Sequence, residues 1–427
     1  MAATQKSTLF IVVALIIGLV IGAAAGYAAA PAKEVVKEVQ VPVYSPLGTL
    51  PSEVKLGALL PLTGALSSYG ENGKYALLMA QDDINEYVQE VLGLNLTFTF
   101  VIEDTQTSPD GALNAIKTLA AQGIKAVVGP YASGEASKVL SYAETNKIVV
   151  LSPSSTAPSL AIPDDMLFRT VPTDLAQGDA IAKILWNKGV RKAVIMYRND
   201  DWGVGLNNVI SEKFTELGGE VESIPYDPYA EEYSADVATL VDKVNAFGTG
   251  EDVGVVLVSF EDDGIDILTL AKEQDVLMSV KWFGTDGIAY SSKIASAVGD
   301  VCEQVGLVAT IYSPAKSVKK EQFMEKYEAE YGMSPHPYSM NLYDSAWILA
   351  LSVLEARTYD GEVIAKVLPK VADNYFGVSG WTKLNEAGDR AYGDYAITAV
   401  KLINGTYTWV DVGSYSAATG AVTWFAE

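Results

Sequence analysis

The stretch AVVGPYASGEASKVLSYAETNKIVVLSPSSTAP, residues 126–158, decides the fold of this chain. It begins with the apolar run Ala126–Gly129, continues with a helical pattern near Gly134–Asn146 and ends with a second apolar run, Ile148–Pro153. Short apolar runs bounded by Gly and Pro are typical of buried strands, and two of them joined by a helix form a βαβ unit. The segment therefore predicts two parallel strands in one sheet.

The same alternation of strands and helices extends in both directions from this unit. The other runs with strand character are Val54–Leu60, Leu96–Asp104, Ala193–Tyr197, Val253–Phe260, Val280–Asp286, Tyr395–Ile403 and Tyr407–Val412. Amphipathic helical patterns separate most of them, which is typical of α/β domains with parallel sheets. Because the alternation restarts after Thr170, it predicts two similar α/β lobes, each a doubly wound parallel sheet.

The first 53 residues differ from this body. Residues 9–30, LFIVVALIIGLVIGAAAGYAAA, are apolar or small throughout. As a helix they reach about 33 Å, enough to cross a hydrocarbon core of about 30 Å. We expect a single-pass transmembrane anchor here, after a short cytoplasmic amino terminus (residues 1–8) and before an extended stalk (residues 31–53), with the body on the extracellular face of the cell membrane. A cleaved signal peptide that ends near Ala28–Ala30 is the alternative.

Charge and reactive side chains exclude several classes of protein. The chain has 53 acidic against 30 basic residues, a formal net charge of -23, which would repel a phosphate backbone; we therefore expect no nucleic-acid partner. A single cysteine, Cys302, and a single histidine, His336, argue against structural zinc, disulfides and Cys/His or Ser/His nucleophiles. The sequence predicts no metal, no cofactor and no enzyme activity, although carboxylate or Ser/Lys chemistry stays open.

Hydroxyl groups follow two of the predicted strands. Ser133 comes after the first strand of the opening segment, and Ser154 and Thr156 come after the second. Ligands of α/β sheets collect at the carboxyl ends of strands, and a carboxylate needs several donors. In the second lobe a strand ends at Asp286, whose acid could pair with an ammonium group. The pattern favours an α-amino acid, but each of these residues could equally be a helix cap or turn residue.

Several motifs, taken in order, resemble a known family. They are LGALLPLTGALSSYG, AVVGPYASGEAS, VVLSPSSTAPSL, FRTVPTD, NDDWGVGL and FGTDG, and they resemble the leucine/isoleucine/valine-binding proteins, substrate-binding proteins of ABC transporters with the type I periplasmic-binding-protein fold. The similarity runs from about Val54 to about Asn385, and SPSSTAP followed by FRTVPTD is its most specific part.

The resemblance implies two lobes joined by a three-strand hinge. The hinge crossings would fall near Arg169–Asp174, Ala309–Ser313 and Phe376–Trp381. The predicted extents are residues 54–171 and 313–377 for lobe 1, and residues 172–312 and 378–427 for lobe 2.

The resemblance also implies a ligand site. Ser133 and Thr156 match the residues that hold the ligand carboxylate, while Ser154, Thr156 and Asp286 match those around the ligand ammonium. The matching wall around the ligand side chain consists of Tyr69, Trp202, Phe260 and Tyr338. Two departures put the ligand's identity in doubt: leucine-binding members commonly have Glu at the position of Asp286 and Ala at 154, and Trp202 replaces a more usual, smaller Tyr.

The function implied is that of the extracellular substrate-binding component of an ABC importer. Such a protein, as a monomer, would bind a branched-chain or other apolar amino acid between its lobes and deliver it to permease subunits in the membrane. The alternatives are an amide- or urea-binding protein, or a ligand-sensing ectodomain, on the same fold. A sensor normally needs a cytoplasmic output domain, and the residues before the apolar span are too few to form one.

Overall fold

The computed structural model describes residues 48–426, and from Thr49 onward the chain forms one unit. The first lobe is built on a five-stranded parallel sheet with the order β2-β1-β3-β4-β5. Its consecutive elements are β1 (Glu53–Leu60), α1 (Ser67–Glu86, continued by a π-helical turn, Tyr87–Val91), β2 (Thr97–Asp104), α2 (Pro109–Ala121), β3 (Ala126–Val128), α3 (Ser133–Asn146), β4 (Val149–Ser152), a 3-10 turn (Pro158–Leu160) and β5 (Leu167–Arg169).

The second lobe carries an eight-stranded sheet with the order β15-β14-β13-β10-β9-β8-β6-β7. Its first series of elements is α4 (Asp174–Asn187), β6 (Lys192–Arg198), α5 (Asp201–Glu216), β7 (Glu220–Tyr226), α6 (Ser234–Phe247), β8 (Val253–Val258), α7 (Glu261–Lys272), α8 (Asp275–Met278), β9 (Lys281–Gly284), α9 (Ser292–Gln304) and β10 (Val308–Ser313). These strands pair in parallel. The central strand β8 has a parallel neighbour on each side, and all six of its residues are buried, as is typical of parallel sheets.

The carboxyl-terminal part of the chain serves both lobes. Helices α10, α11 and α12 contact elements of the first lobe, whereas the last three strands extend the second sheet. These elements are α10 (Val318–Tyr331), α11 (Pro337–Ala356), α12 (Gly361–Asp373), β11 (Phe376–Gly377), β12 (Gly380–Trp381), β13 (Asp394–Ile403), β14 (Thr406–Ser416) and β15 (Ala421–Trp424). Strand β13 pairs antiparallel with β10, β14 with β13 and β15 with β14, so the second sheet, predicted as a parallel sheet, is mixed.

The chain passes between the two sheets three times. It leaves the first sheet after Arg169 and enters the second with α4, returns after Ser313, and crosses again between α12 and β13. The short β11–β12 hairpin lies on this last crossing. The exact residue limits assigned to the two lobes from the sequence stay a prediction.

The structure does not support the transmembrane helix of the predicted fold. Within residues 48–426 no helix combines the length and the apolar character needed to cross a lipid bilayer, so this structure contains the two-lobed body without a membrane helix. The longest helices, α1 and α11, have 20 residues each, and both pack inside the first lobe. The predicted cytoplasmic residues 1–8, the span 9–30 and residues 31–47 of the stalk lie outside the described residues.

Candidate functional site

A cavity lies between the two lobes, at the carboxyl ends of their parallel strands. Its lining residues are Leu66, Tyr69, Tyr131, Ala132, Ser133, Ser154, Trp202, Phe260, Asp286, Gly287 and Tyr338. Seven of the eight residues predicted from the sequence are in this set. The eighth, Thr156, is buried immediately behind the lining and touches it through Ser133.

The first lobe presents hydroxyl and backbone donors to the cavity. Ser133 is the first residue of α3, and its Oγ accepts hydrogen bonds from the N–H groups of Thr156 and Ala157, both at 3.1 Å. Because the Oγ lone pairs face these amides, the hydroxyl hydrogen is available to a group in the cavity. Ser133 is not the helix cap, because the N-cap residue is Ala132. The backbone N–H of Ala132 donates to the Glu135 carboxyl group. The simple capping interpretation therefore fails for this serine.

Arg169 holds the loop that carries Ser154 and Thr156. This fully buried side chain donates from Nη1 to the carbonyls of Ser155 (3.1 Å) and Ala157 (2.9 Å), and from Nε to the Asp389 carboxylate at 2.5 Å. Because the carbonyls of Ser155 and Ala157 point towards the arginine, other groups of the loop can point towards the cavity. This contact explains why SPSSTAP and FRTVPTD act as one unit.

The second lobe presents a buried acid. Asp286 is 4 % exposed, and its Oδ2 accepts from the Tyr338 hydroxyl at 2.6 Å, while no protein group within the described residues bonds to its Oδ1. Burial raises the pKa of Asp286 to about 6, and the Tyr338 and Gln177 side chains act in the opposite direction. A carboxylate in this setting lacks a counter-charge, which a cationic ligand group would supply.

A second acid, Asp174, lies in the same polar cluster and is absent from the predicted site. It is completely buried at the start of α4, and neither carboxyl oxygen has a hydrogen-bond partner in the described part of the chain. Burial, and then the charge of Asp286, raise the pKa of Asp174 well above its usual value, while Thr156 and Arg169 oppose the shift. The only sequence signal for it is an acid within FRTVPTD, where it is indistinguishable from a helix-start residue.

Aromatic rings form the wall between these two polar ends. Trp202 stacks on Phe260 with ring centroids 4.9 Å apart, and the Arg198 guanidinium covers the other side of Phe260 at 4.0 Å. Gly287 lies against both rings, because a Cβ there would be 2.8 Å from the Trp202 ring and 3.0 Å from that of Phe260. Tyr69 completes the wall from the first lobe. No ionised side chain lines this part of the cavity, so it suits an apolar group.

Direct contacts between the lobes close the cavity. Ser68, in the first turn of α1, donates its N–H (3.2 Å) and its hydroxyl to the Glu261 carboxylate at the start of α7. The Tyr69 hydroxyl donates to the Ala289 carbonyl at 2.8 Å, which also lies within reach of the His336 ring. The lobes are therefore in the closed arrangement.

The arrangement can hold a small ligand with an anionic and a cationic end and an apolar body. Among the described residues no group of three or more His, Cys, Asp or Glu side chains is placed to hold a metal ion. The predicted contacts of Ser133, Ser154, Thr156 and Asp286 with ligand atoms stay a prediction.

A family model described as "Receptor family ligand binding region" matches residues 73–402. The match covers most of the chain and both lobes. The chain belongs to this family. It is the family of the type I periplasmic binding proteins, so the resemblance drawn from the sequence motifs is confirmed.

Individual relatives cover nearly the whole described body. An uncharacterized protein of Methanocaldococcus jannaschii is 33% identical over 396 residues, 88% of this chain and 93% of that protein. The leucine-, isoleucine-, valine-, threonine-, and alanine-binding protein of Pseudomonas aeruginosa is 22% identical over 352 residues, 81% of this chain and 89% of its own. Among solved structures, a leucine binding protein, LivK, of Thermotoga maritima has a TM-score of 0.70 at 24% identity, covering 87% of this chain and 98% of that one. This last likeness shows the fold alone.

Proposed function

We propose that this family member binds an apolar α-amino acid between its lobes, on the outer side of the cytoplasmic membrane, and delivers it to the permease of an ABC importer. The observation that carries the proposal is the polarity of the closed cavity. Ser133 of the first lobe lies at one end, the Asp286 carboxylate, with no partner for its Oδ1 among the described residues, lies at the other, and an aromatic wall lies between them.

Each end of an amino acid has a matching group. The ligand carboxylate would accept from the Ser133 hydroxyl and from the N–H groups at the start of α3, where the helix dipole also favours negative charge. The ammonium group would contact the Asp286 carboxylate and donate a further hydrogen bond to the Ser154 carbonyl. The printed name of the Pseudomonas relative, which includes leucine, isoleucine and valine, supports an aliphatic side chain against the aromatic wall.

The magnitudes fit reversible binding. A charge-assisted hydrogen bond contributes about 1.5–3 kcal/mol, and burying a Leu or Val side chain contributes a similar amount. Several such terms, after the loss of translational freedom on association, leave about -8 kcal/mol, which corresponds to a micromolar dissociation constant. Such a ligand is held firmly enough to shift the lobes and weakly enough to be released to a permease.

A titration-calorimetry panel tests this function. The purified protein should bind L-leucine, L-isoleucine or L-valine at micromolar concentrations, and should bind L-aspartate and L-lysine at least 100-fold more weakly, because the wall offers no partner for a second charge. Ser133→Ala should weaken binding of the same amino acid at least tenfold. The matched control is Ser296→Ala, at an exposed serine of α9 that is not among the residues that line the cavity.

Two outcomes would redirect the assignment. If the protein binds neutral amides tightly and binds no amino acid, it is an amide-binding protein, because a neutral amide carries no cationic group to pair with a buried acid. Binding of no member of either class would remove the proposed ligand altogether. Delivery to a permease and the monomeric state are tested separately, by transport in reconstituted vesicles and by light scattering.

A further inference from the structure

The only histidine of the chain, His336, lies where the first lobe meets the second. It is the N-cap residue of α11 and is 5 % exposed. The ring Nδ1 accepts a hydrogen bond from the backbone N–H of Tyr338 at 3.2 Å. The backbone N–H of His336 donates to the Asn72 Oδ1 at 2.8 Å. The ring therefore fixes the first turn of α11, from which Tyr338 reaches Asp286.

The other ring nitrogen faces the second lobe. Nε2 lies 3.1 Å from the carbonyl oxygen of Ala289, in the loop between β9 and α9. Nδ1 must accept from the Tyr338 N–H, so Nε2 carries the ring hydrogen and donates it to this carbonyl. Both nitrogens are thus used by one tautomer of the neutral ring. A proton added at Nδ1 would face the Tyr338 N–H and break the cap.

The surroundings of the ring are aromatic, and within residues 48–426 no charged side chain contacts it. The centroids of Tyr69, Tyr338 and Tyr290 lie 4.1, 5.5 and 6.4 Å from that of the histidine. Burial raises the pKa of all three tyrosines, which keeps them neutral. Three carboxyl groups lie on the far side of these tyrosines from the histidine. The hydroxyl of Tyr338 donates to Asp286 and that of Tyr290 to Asp411, while Glu261 acts on Tyr69 through its charge. Burial lowers the pKa of the histidine to about 4.

We propose that His336 is a positioning residue of the ligand site: its neutral ring joins α11 of the first lobe to the Ala289 carbonyl of the second and fixes Tyr338 against Asp286, so that the shut cleft requires an unprotonated histidine. The inference deepens the proposed function, because it concerns retention of the ligand in that same cavity.

The consequence is a defined response to acid. When the lobes separate, Ala289 moves away, water reaches the ring, and its pKa returns to about 6.5. The closed form, with a pKa of about 4, excludes the proton that the open form accepts, so acid favours the open form. Between these two values closure weakens up to tenfold per pH unit. At pH 5 the closed-to-open ratio, and with it the affinity for a ligand that binds the closed form, falls about 30-fold relative to pH 8 through this residue alone.

The titration of the single histidine tests the proposal without reference to any ligand. The double variant Ala65→Cys/Glu261→Cys is designed to lock the cleft with a disulfide, because the Glu261 N–H donates to the Ala65 carbonyl at 3.2 Å and the two backbones are therefore adjacent across the cleft. The native Cys302 is fully buried and does not compete. We expect the NMR signal of the His336 ring to titrate below pH 5 in the oxidised, locked protein. A value of 6 or above in that form would overturn the proposal.

A second arm measures affinity, with L-leucine as the probe. His336→Gln retains a side-chain amide but removes the titration, so the ratio of dissociation constants at pH 5 and pH 8 should be about 30-fold smaller in this variant than in the native protein. The acid dependence that comes from Asp286 is common to both and cancels in the comparison. Equal ratios would contradict the role of His336 while leaving amino-acid binding intact. If leucine does not bind, the proposed function fails, and the locked variant still decides the role of the histidine.

Discussion

Replacing Asp286 by Asn should stabilise the ligand-free protein at neutral pH while removing its affinity for amino acids. The carboxyl group is buried, its Oδ1 has no protein partner, and its pKa lies at about 6 against 3.8 for an unperturbed aspartate. The ionised form is therefore disfavoured in the folded chain. An asparagine keeps an oxygen for the Tyr338 hydroxyl but carries no charge to bury.

The expected size follows from the pKa difference. A rise of about 2 units corresponds to about 3 kcal/mol of destabilisation once the group is ionised in both states. Because the folded-state pKa is raised, the contribution to stability is fully present below pH 4 and is lost as the pH rises through 6. For a body of about 380 residues the entropy of unfolding is about 0.8 kcal/mol per kelvin, so the melting temperature at pH 7.5 should rise by about 4 °C.

Scanning calorimetry of the dialysed, ligand-free proteins at pH 4 and pH 7.5 measures the effect. Asp286→Asn should melt higher than the native protein at pH 7.5 and at the same temperature at pH 4. Asp242→Asn, at an exposed acid on α6 of the same lobe, is the matched control and should leave both values unchanged. Addition of L-leucine should raise the melting temperature of the native protein and the control, but not that of Asp286→Asn. A variant that melts lower than the native protein at pH 7.5 would refute the reasoning.

Two further substitutions separate specificity from stability. Trp202→Ala removes the indole from the stacked wall, so calorimetry should find leucine binding weakened more than tenfold and phenylalanine gaining in relative affinity; an unchanged ligand ranking, or the same effect from Trp424→Ala at the edge of the second sheet, would contradict this. Arg169→Met leaves a buried carboxylate unpaired and should lower the free energy of unfolding by about 3–5 kcal/mol in denaturant titrations, against less than about 1 kcal/mol for Lys147→Met in an exposed ion pair. A small effect at Arg169 would show that the loop is held by other contacts.

The sequence predicted several buried strands and missed others, among them the short buried β5, the buried β10 and the half-exposed β7. Continuous apolar runs identified β1, β4 and β8, whose residues are almost all inaccessible to solvent. Strand β7, EVESIPY, escaped notice because it lies at the edge of the second sheet and exposes alternate side chains, so polar residues interrupt its apolar pattern. The mixed pairing of the second sheet was missed for a different reason, since strand direction depends on topology and not on local composition.

The sequence predicted the site residues that lie in recognisable motifs. It did not predict the contacts that form where segments distant in the chain meet. Ser133 and Asp286 were found because each follows a strand. Asp174 was missed because an acid at the start of a helix is common, and only the fold reveals that it is buried without a partner beside a second acid. The contact between His336 and Ala289 joins residues 47 apart on different lobes, and no periodicity encodes it.

These contacts also explain how one small ligand can control so large a movement. At the rim, Ser68 and Glu261 bond directly across the cleft, so part of the closed arrangement is stabilised by the protein itself. In the interior, burial raises the pKa of both Asp174 and Asp286 and disfavours their ionised forms, which opposes closure of the empty cleft. The two effects have opposite signs, so the ligand-free lobes need only a small bias to close. Under the proposed function, a bound amino acid would supply that bias, because its carboxylate and its ammonium group would contact Ser133 of the first lobe and Asp286 of the second lobe together only in the closed form.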